Sequence, residues 1–321
     1  MPKADMFTLF STSPVAGDIN PVIYRYHSAY RPSLYFCCTE EEEQEKENLL
    51  YMGFELEFDY GPVGRSTNIR EKKLAVIEYS NNLFNSGSYL YYMLDGSLTN
   101  GLEMISQPST LNFYKKNKEK FEKLFAFIKE MGFSARVSCG FHIHFNKDFY
   151  FNEEPIKDFY FYNKEENLLY LIDKFWKELV YLSGRRYNRI RRWSNKFYKG
   201  PKEIVEDMMC GNFESRYHVL NFRNRNTIEI RLFHSALEYD EFISFLELYN
   251  NLIVCAKILP KEKLEIIGFQ EFLTSQELVN LWVKRTTSSN TNKYKKYLEE
   301  GNAARVPNSS FNQYLDFDSY F

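Results

Sequence analysis

Three short segments of this chain alternate strictly between large apolar residues and ionisable ones, and this limits what the chain can fold into. In GFELEFD (53–59), Phe54, Leu56 and Phe58 point to one side and Glu55 and Glu57 to the other, because successive side chains of a β-strand face opposite ways. In GFHIHF (140–145), Phe141, Ile143 and Phe145 oppose His142 and His144. In TIEIRLF (227–233), Ile228, Ile230 and Leu232 oppose Glu229 and Arg231. Strands of this kind need a sheet with one packed face, and antiparallel sheets supply it.

Helical periodicity fills the intervals between the strands. The spacing predicts a helix over 112–131, where Phe121, Leu124, Phe125, Ile128 and Met131 form one stripe and Gly132 is the stop. A second helix is predicted over 165–183, ahead of Gly184, and a third over 239–259, ending before Pro260. A short helix near 276–284 and a polar loop at 287–292 follow. Strands and helices interleave, which points to an α+β class with an antiparallel sheet and helices on one face. The expected organisation is an N-terminal arm over 1–50 carrying the acidic run from Glu40 to Glu47, a catalytic domain over 51–260, and a C-terminal helical extension and tail over 261–321.

Composition narrows the class. With 41 Lys and Arg against 43 Asp and Glu, the formal charge is −2, unlike a basic nucleic-acid coat. Aromatic residues make up 18% of the chain, too many for a largely disordered one. No apolar run is long enough for a membrane-spanning helix, and no secretory leader is read at the N-terminus. Five Cys without CxxC spacing predict neither a disulfide framework nor a thiolate zinc site, and fit a reducing cytoplasm.

The polar faces carry Glu, Glu, His, His, Glu and Arg, where an ordinary solvent face is expected to show mostly Lys, Thr, Ser and Gln. Glu103, in DGSLTNGLEMIS (95–106), is a fourth carboxylate on a short strand after two turn signals. Converging carboxylates repel one another by roughly 3 kcal/mol per pair at ~6 Å and an effective dielectric near 20. Such a cluster must be wet or bound to cations, and oxygen ligands with an imidazole suit Mg²⁺ or Mn²⁺.

The ordered set GFELEFD, DGSLTNGLEMISQP, SCGFHIHF and RYHVLNFRNRNTIEIRLF resembles the amidoligases of the carboxylate-amine ligase superfamily. The resemblance runs over about residues 25–255, including YRYHSAYRPSLYF (24–36), a stretch found in phage-type members. It implies the catalytic fold of glutamine synthetase: a curved antiparallel sheet, helices on the convex face and the active site on the concave one. It assigns Glu55, Glu57, Glu103, His142 and Glu229 to two divalent metals, Mg²⁺ or Mn²⁺, and His144 to the phosphates of ATP. Arg231 resembles the guanidinium that steadies the transferred phosphoryl group. Arg216 and Asn221 resemble positions near the phosphates or substrate, and Arg185 or Arg186 one facing the nucleotide or an acidic substrate.

The implied reaction is ATP-dependent amide formation through an acyl phosphate. It requires a carboxylate-bearing and an amine-bearing substrate, with peptides and cell-wall precursors among the candidates, in the cytoplasm of a bacterium or phage-infected cell. Other readings stay open. His142 and His144 with Glu55 or Glu229 suit a metal-dependent hydrolase. The segment 185–199, seven cations interleaved with aromatics, suits single-stranded nucleic acid or a solvated loop. A non-catalytic phage-associated protein with the same fold is a further alternative. Cys139, an odd number of residues from His142, falls on the opposite strand face and reads as a buried hydrophobe.

Overall fold

Strand β2 (Met52–Phe58) lies at the centre of the sheet, and its apolar face sets where the core must be. The computed structural model describes residues 23, 24, 32–62, 68–151, 161–210, 212 and 215–287. Among these, β2 is joined by β1 (Ile23–Tyr24), β3 (Leu90–Met93), β4 (Leu102–Ser106), β5 (Gly140–Asn146), β6 (Leu220–Asn221) and β7 (Thr227–His234). The order is β1-β3-β4-β2-β5-β7-β6, and only β1 with β3 is parallel. The protein is thus of mixed α+β class, with one largely antiparallel sheet. Most of the arm, including residues 25–31 of the YRYHSAYRPSLYF stretch, and the tail from 288 lie outside the described residues.

The helices are α1 (Ile69–Phe84), α2 (Leu111–Lys116), α3 (Lys118–Glu130), α4 (Asp148–Phe151), α5 (Phe161–Lys174), α6 (Trp176–Ser183), α7 (Tyr187–Trp193), α8 (Pro201–Met209), α9 (Tyr239–Ile258), α10 (Lys261–Ile266) and α11 (Gln276–Thr287). Two helices predicted as continuous are broken. Asn117 leaves helical geometry, its side-chain amide donating to the Phe113 carbonyl at 3.0 Å, and so divides α2 from α3. Phe175, at φ −103 and ψ 21, divides α5 from α6. The predicted stops Gly132 and Gly184 both adopt positive φ. None of the described helices is long and apolar enough to cross a membrane.

Phe54, Leu56 and Phe58 of β2 and Phe141, Ile143 and Phe145 of β5 are all buried beneath the helices. Phe242 on α9 anchors this layer. Its ring lies 5.1–5.8 Å from those of Phe54, Tyr114, Phe121, Phe125 and Phe141, tying α2, α3 and α9 to the central strands. Strand β7 carries a bulge opposite β5: Phe141 pairs with Phe233, but Ile143 pairs with Ile230. The extra residue shifts the alternation, so Phe233 stacks on Phe245 of α9 at 4.0 Å while Leu232 is also buried.

Phe242→Ala removes the ring on which five others converge and is expected to cost about 3–5 kcal/mol. Phe242→Leu should cost clearly less. Urea denaturation checks both, and a loss below about 1 kcal/mol for the alanine variant would contradict this packing.

Candidate active site

The opposite face of the sheet floors a cavity of about 1100 Å³. Strand register brings the ionisable residues together across it. Glu57 lies opposite Glu103, Glu55 opposite His142, and His144 opposite Glu229. Asn221 of β6 completes the row beside Glu229. All of these, with Arg185, Arg216 and Arg231, line the one cavity.

Glu55 and Glu229 are held by opposing partners. The Glu55 carboxylate oxygens lie 3.2 Å from His142 Nδ1 and 3.2 Å from His144 Nε2. Glu229 accepts from Arg231 and, at 2.7 Å, from Asn221 Nδ2, and it lies 3.6 Å from His142 Nδ1. Burial works to raise both carboxyls, but the imidazoles outweigh it, with Arg231 aiding at Glu229, and both are held below the usual carboxylate range. Burial, seconded by Arg231, lowers His142. At His144 burial is outweighed by Glu55, and the pKa is raised.

Glu57 and Glu103 go the other way. Burial pushes Glu57 up to about 7, although the Gly140 N–H donates to it at 2.6 Å and Arg185 is close. Burial and the charges of Glu55 and Glu57 raise Glu103 well above its ordinary value. Asp95, beyond β3, adds to the repulsion at both. The turn chemistry around Asp95 was legible in the sequence, but its place at the cavity was not, because that depends on the pairing of β3 with β4.

Two overlapping groupings can hold a cation: Glu55, His142 and Glu229, and Glu57, Glu103 and His142. Within each, the candidate ligand atoms lie within 4.8 Å of one another. The donors are mostly carboxylate oxygens, which suit hard divalent cations. His144 Nε2 is buried, and despite its proximity to Glu55 it makes no hydrogen bond among the described residues.

The basic segment resolves into two environments. Ile190 is fully buried and pins α7, while Arg189 and Trp193, four residues apart and hence on one helix face, line the cavity. Arg191 and Arg192 are exposed, as is Arg186. Arg185 is buried, donates to the Arg231 carbonyl at 2.6 Å and is lowered to about 10 by burial. A Cβ at Gly140 would stand 2.3 Å from the Arg185 guanidinium, so this close approach requires glycine. Arg231 also donates from Nε to the Trp193 carbonyl at 3.3 Å, joining α7 to β7. Arg216 sits exposed at the rim, its guanidinium 5.1 Å from the Tyr217 ring.

Among solved structures, the chain is similar to a bifunctional glutathione synthetase from Pasteurella multocida, at 11% identity and a TM-score of 0.39. That similarity covers 81% of this chain and 50% of the other, so the chain spans half the length of that structure. No curated protein matches the chain. The family described as "putative amidoligase enzyme" matches residues 41–253, the stretch that holds every strand of the cavity floor. The chain therefore belongs to the amidoligase family.

Proposed function

We propose that this protein is an ATP-dependent carboxylate-amine ligase whose reaction takes place in the cavity above β2, β4, β5 and β7. The observation that carries the reading is the convergence of four carboxylates and two imidazoles, from four strands, beside Arg231. The accompanying fold reading is a glutamine-synthetase-like curved sheet with the site on its concave face. Residues 51–260 form the catalytic unit, flanked by the N-terminal arm and the C-terminal extension. Substrates are a carboxylate and an amine, peptides and cell-wall precursors among the candidates, and the setting is cytoplasmic.

The residues fit divalent cations. Glu55, His142 and Glu229 would hold one, and Glu57 and Glu103 a second with the remaining His142 contact. Bound there, Mg²⁺ or Mn²⁺ supplies charge neutralisation for phosphate oxygens. Arg231 spends Nη1 on Glu229 and Nε on Trp193, and its other terminal nitrogen has no partner among the described residues. This leaves a fixed donor for a phosphoryl oxygen as charge develops. His144 and Asn221 flank that position, and Arg185 supports Arg231 from behind; Arg216 stands at the entrance.

In the reaction, a substrate carboxylate oxygen attacks the γ-phosphorus of ATP and ADP leaves. The amine then attacks the acyl carbon, loses a proton, and phosphate departs. No protein nucleophile is consumed. Cys139 is no candidate: it is buried, and burial pushes its thiol up to about 12.

ADP release is expected only when a carboxylate and an amine are supplied together with Mg²⁺ or Mn²⁺. Screening of acid and amine pools checks this, and hydrolysis of substrate without nucleotide would favour the metal-dependent hydrolase. Glu55→Gln and Glu229→Gln should each lower turnover at least about 100-fold while the protein stays folded. Full metal-dependent turnover by either variant would contradict the assignment.

Cation binding should also be visible in stability. Glu57 titrates in the fold near 7, above the ordinary 4.5, so its contribution to stability is fully present below 4.5 and is lost as pH rises through 7. Glu103 acts in the same direction. A divalent cation replaces the missing proton. Mg²⁺ or Mn²⁺ should therefore raise Tm more at about pH 8 than at about pH 5.5, with the excess reduced in Glu57→Gln. An equal shift at both pH values would contradict it.

A further inference from the structure

Aromatic rings and guanidiniums that the ligase reading leaves largely without a role form one connected rim at the cavity mouth. Trp193 of α7 and Tyr217, which precedes β6, pack edge to face with ring centroids 5.2 Å apart, and both line the cavity. The Arg192 guanidinium lies 4.7 Å over the Trp193 ring, and that of Arg216 lies 5.1 Å over the Tyr217 ring. Arg216 Nη2 also donates to the Tyr217 hydroxyl at 3.2 Å. The Tyr217 ring stands 5.9 Å from the Arg231 guanidinium, so the rim meets the candidate site at that residue.

Backbone pairing extends the rim outward. The Asn195 N–H donates to the Tyr217 carbonyl at 2.8 Å, and the Val219 N–H donates to the Asn195 carbonyl at 2.9 Å. Beyond this pairing Phe197 turns inward and stacks on His218 at 4.4 Å, while its neighbour Tyr198 turns outward. Tyr198 is 86% exposed, yet its hydroxyl accepts from Asn195 Nδ2 at 2.9 Å. A ring held facing solvent in this way is a ready stacking platform.

The cations around the rim divide by type. Lys196, Lys199 and Lys202 are matched by Asp173, Asp207 and Glu206 at 2.7, 2.5 and 4.0 Å. Arg192 is exposed and has no acidic partner among the described residues; the same holds for Arg223 and Arg225, on the 222–226 turn that follows edge strand β6. Lys147 fixes that turn, its Nζ donating to the Phe222 and Asn224 carbonyls at 3.2 and 2.8 Å. The whole chain carries a formal charge of −2, so this is a local concentration of positive charge.

We propose that the rim binds a single-stranded nucleic acid across the cavity mouth, with bases stacked on Tyr198, Trp193 and Tyr217 and phosphates held by the arginines. The inference does not depend on the ligase reading. Rings alternating with guanidiniums match a strand in which bases alternate with phosphates, because every base has a π-face and every linkage one negative charge. A ring already covered by a guanidinium still serves, since unpaired bases also stack on the guanidinium plane. An acidic peptide would satisfy the arginines and leave the Tyr198 ring unused. A duplex keeps its base faces stacked on one another. A strand lying here passes Tyr217, which places a group that it carries at the cavity beside Arg231.

The test is fluorescence anisotropy with the full chain and no added ATP. The probes are oligo-uridylate and oligo-deoxythymidylate of about 12 nucleotides, against a duplex of that length and polyglutamate of the same charge. At least one single strand should bind about 10-fold or more tightly than the duplex and polyglutamate, and its affinity should fall with salt at a log–log slope of about −2 to −3, as for about three or four phosphates neutralised. Tyr198→Ala should weaken this binding by about 5-fold or more, and Tyr198→Phe should retain most of it. The double variant Arg192→Gln with Arg225→Gln should reduce the magnitude of the salt slope by about 1.4. All three positions are exposed, so these replacements leave the core intact. Absent binding, equal binding of the duplex or of polyglutamate, binding that survives Tyr198→Ala, or a salt slope that survives the double variant would overturn the proposal. None of these outcomes bears on ADP release, by which the ligase reading is judged separately.

Discussion

Four carboxylates and two imidazoles, gathered on one face of a sheet whose reverse is packed with aromatic rings, are the constraint on which the rest of this structure depends. The aromatic layer around Phe242 fixes the strands in register, and register alone decides which ionisable groups meet. A slip of one residue in β2 would exchange Phe54 and Leu56 for Glu55 and Glu57 in the core. Burial then divides the carboxylates. Glu55 and Glu229, beside imidazoles, stay ionised, while Glu57 and Glu103 resist ionisation. A divalent cation placed among them would relieve a repulsion that folding has imposed, which is the electrostatic basis of the proposed cation site.

The residues at the cavity floor were legible because strand alternation is a local signal. Each of the three strands declares its two faces within seven or eight residues, and the order of motifs gave the family. Other features were hidden for physical reasons. Strand β3, LYYM, shows no alternation, and it is a strand because it pairs with β4 and, through Tyr92 and Met93, with β1. Helix α1 was missed because its polar residues blur its apolar stripe, with only Val76, Ile77, Ser80 and Asn81 buried. The breaks at Asn117 and Phe175 and the bulge in β7 arise from tertiary packing and local side-chain bonding that a periodic pattern does not encode.

The basic segment shows the same limit. From sequence it is a run of cations and aromatics equally suited to nucleic acid, solvent or substrate. In the fold, Ile190 turns Arg189 and Trp193 inward and leaves Arg191 and Arg192 outside. The spacing of Arg189, Ile190 and Trp193 held that information, but reading it required knowing that the segment is helical. Arg185 gains its position from Gly140, a contact between residues 45 apart in sequence. Acids and guanidiniums reach the cavity from partly different elements: β2 and β4 carry Glu55, Glu57 and Glu103, Arg185 and Arg189 come from the start of α7 and the residues before it, and β7 carries both Glu229 and Arg231.

The central claim is that a substrate carboxylate attacks ATP directly, and isotope transfer tests it most directly. A carboxylate substrate labelled with heavy oxygen in both oxygens is turned over with ATP, Mg²⁺ and amine, and the released phosphate is analysed by mass. The account predicts that each phosphate carries one heavy oxygen from the carboxylate and that each amide retains the other. Unlabelled phosphate, with the oxygen lost from the carboxylate recovered in AMP or in water, would contradict it.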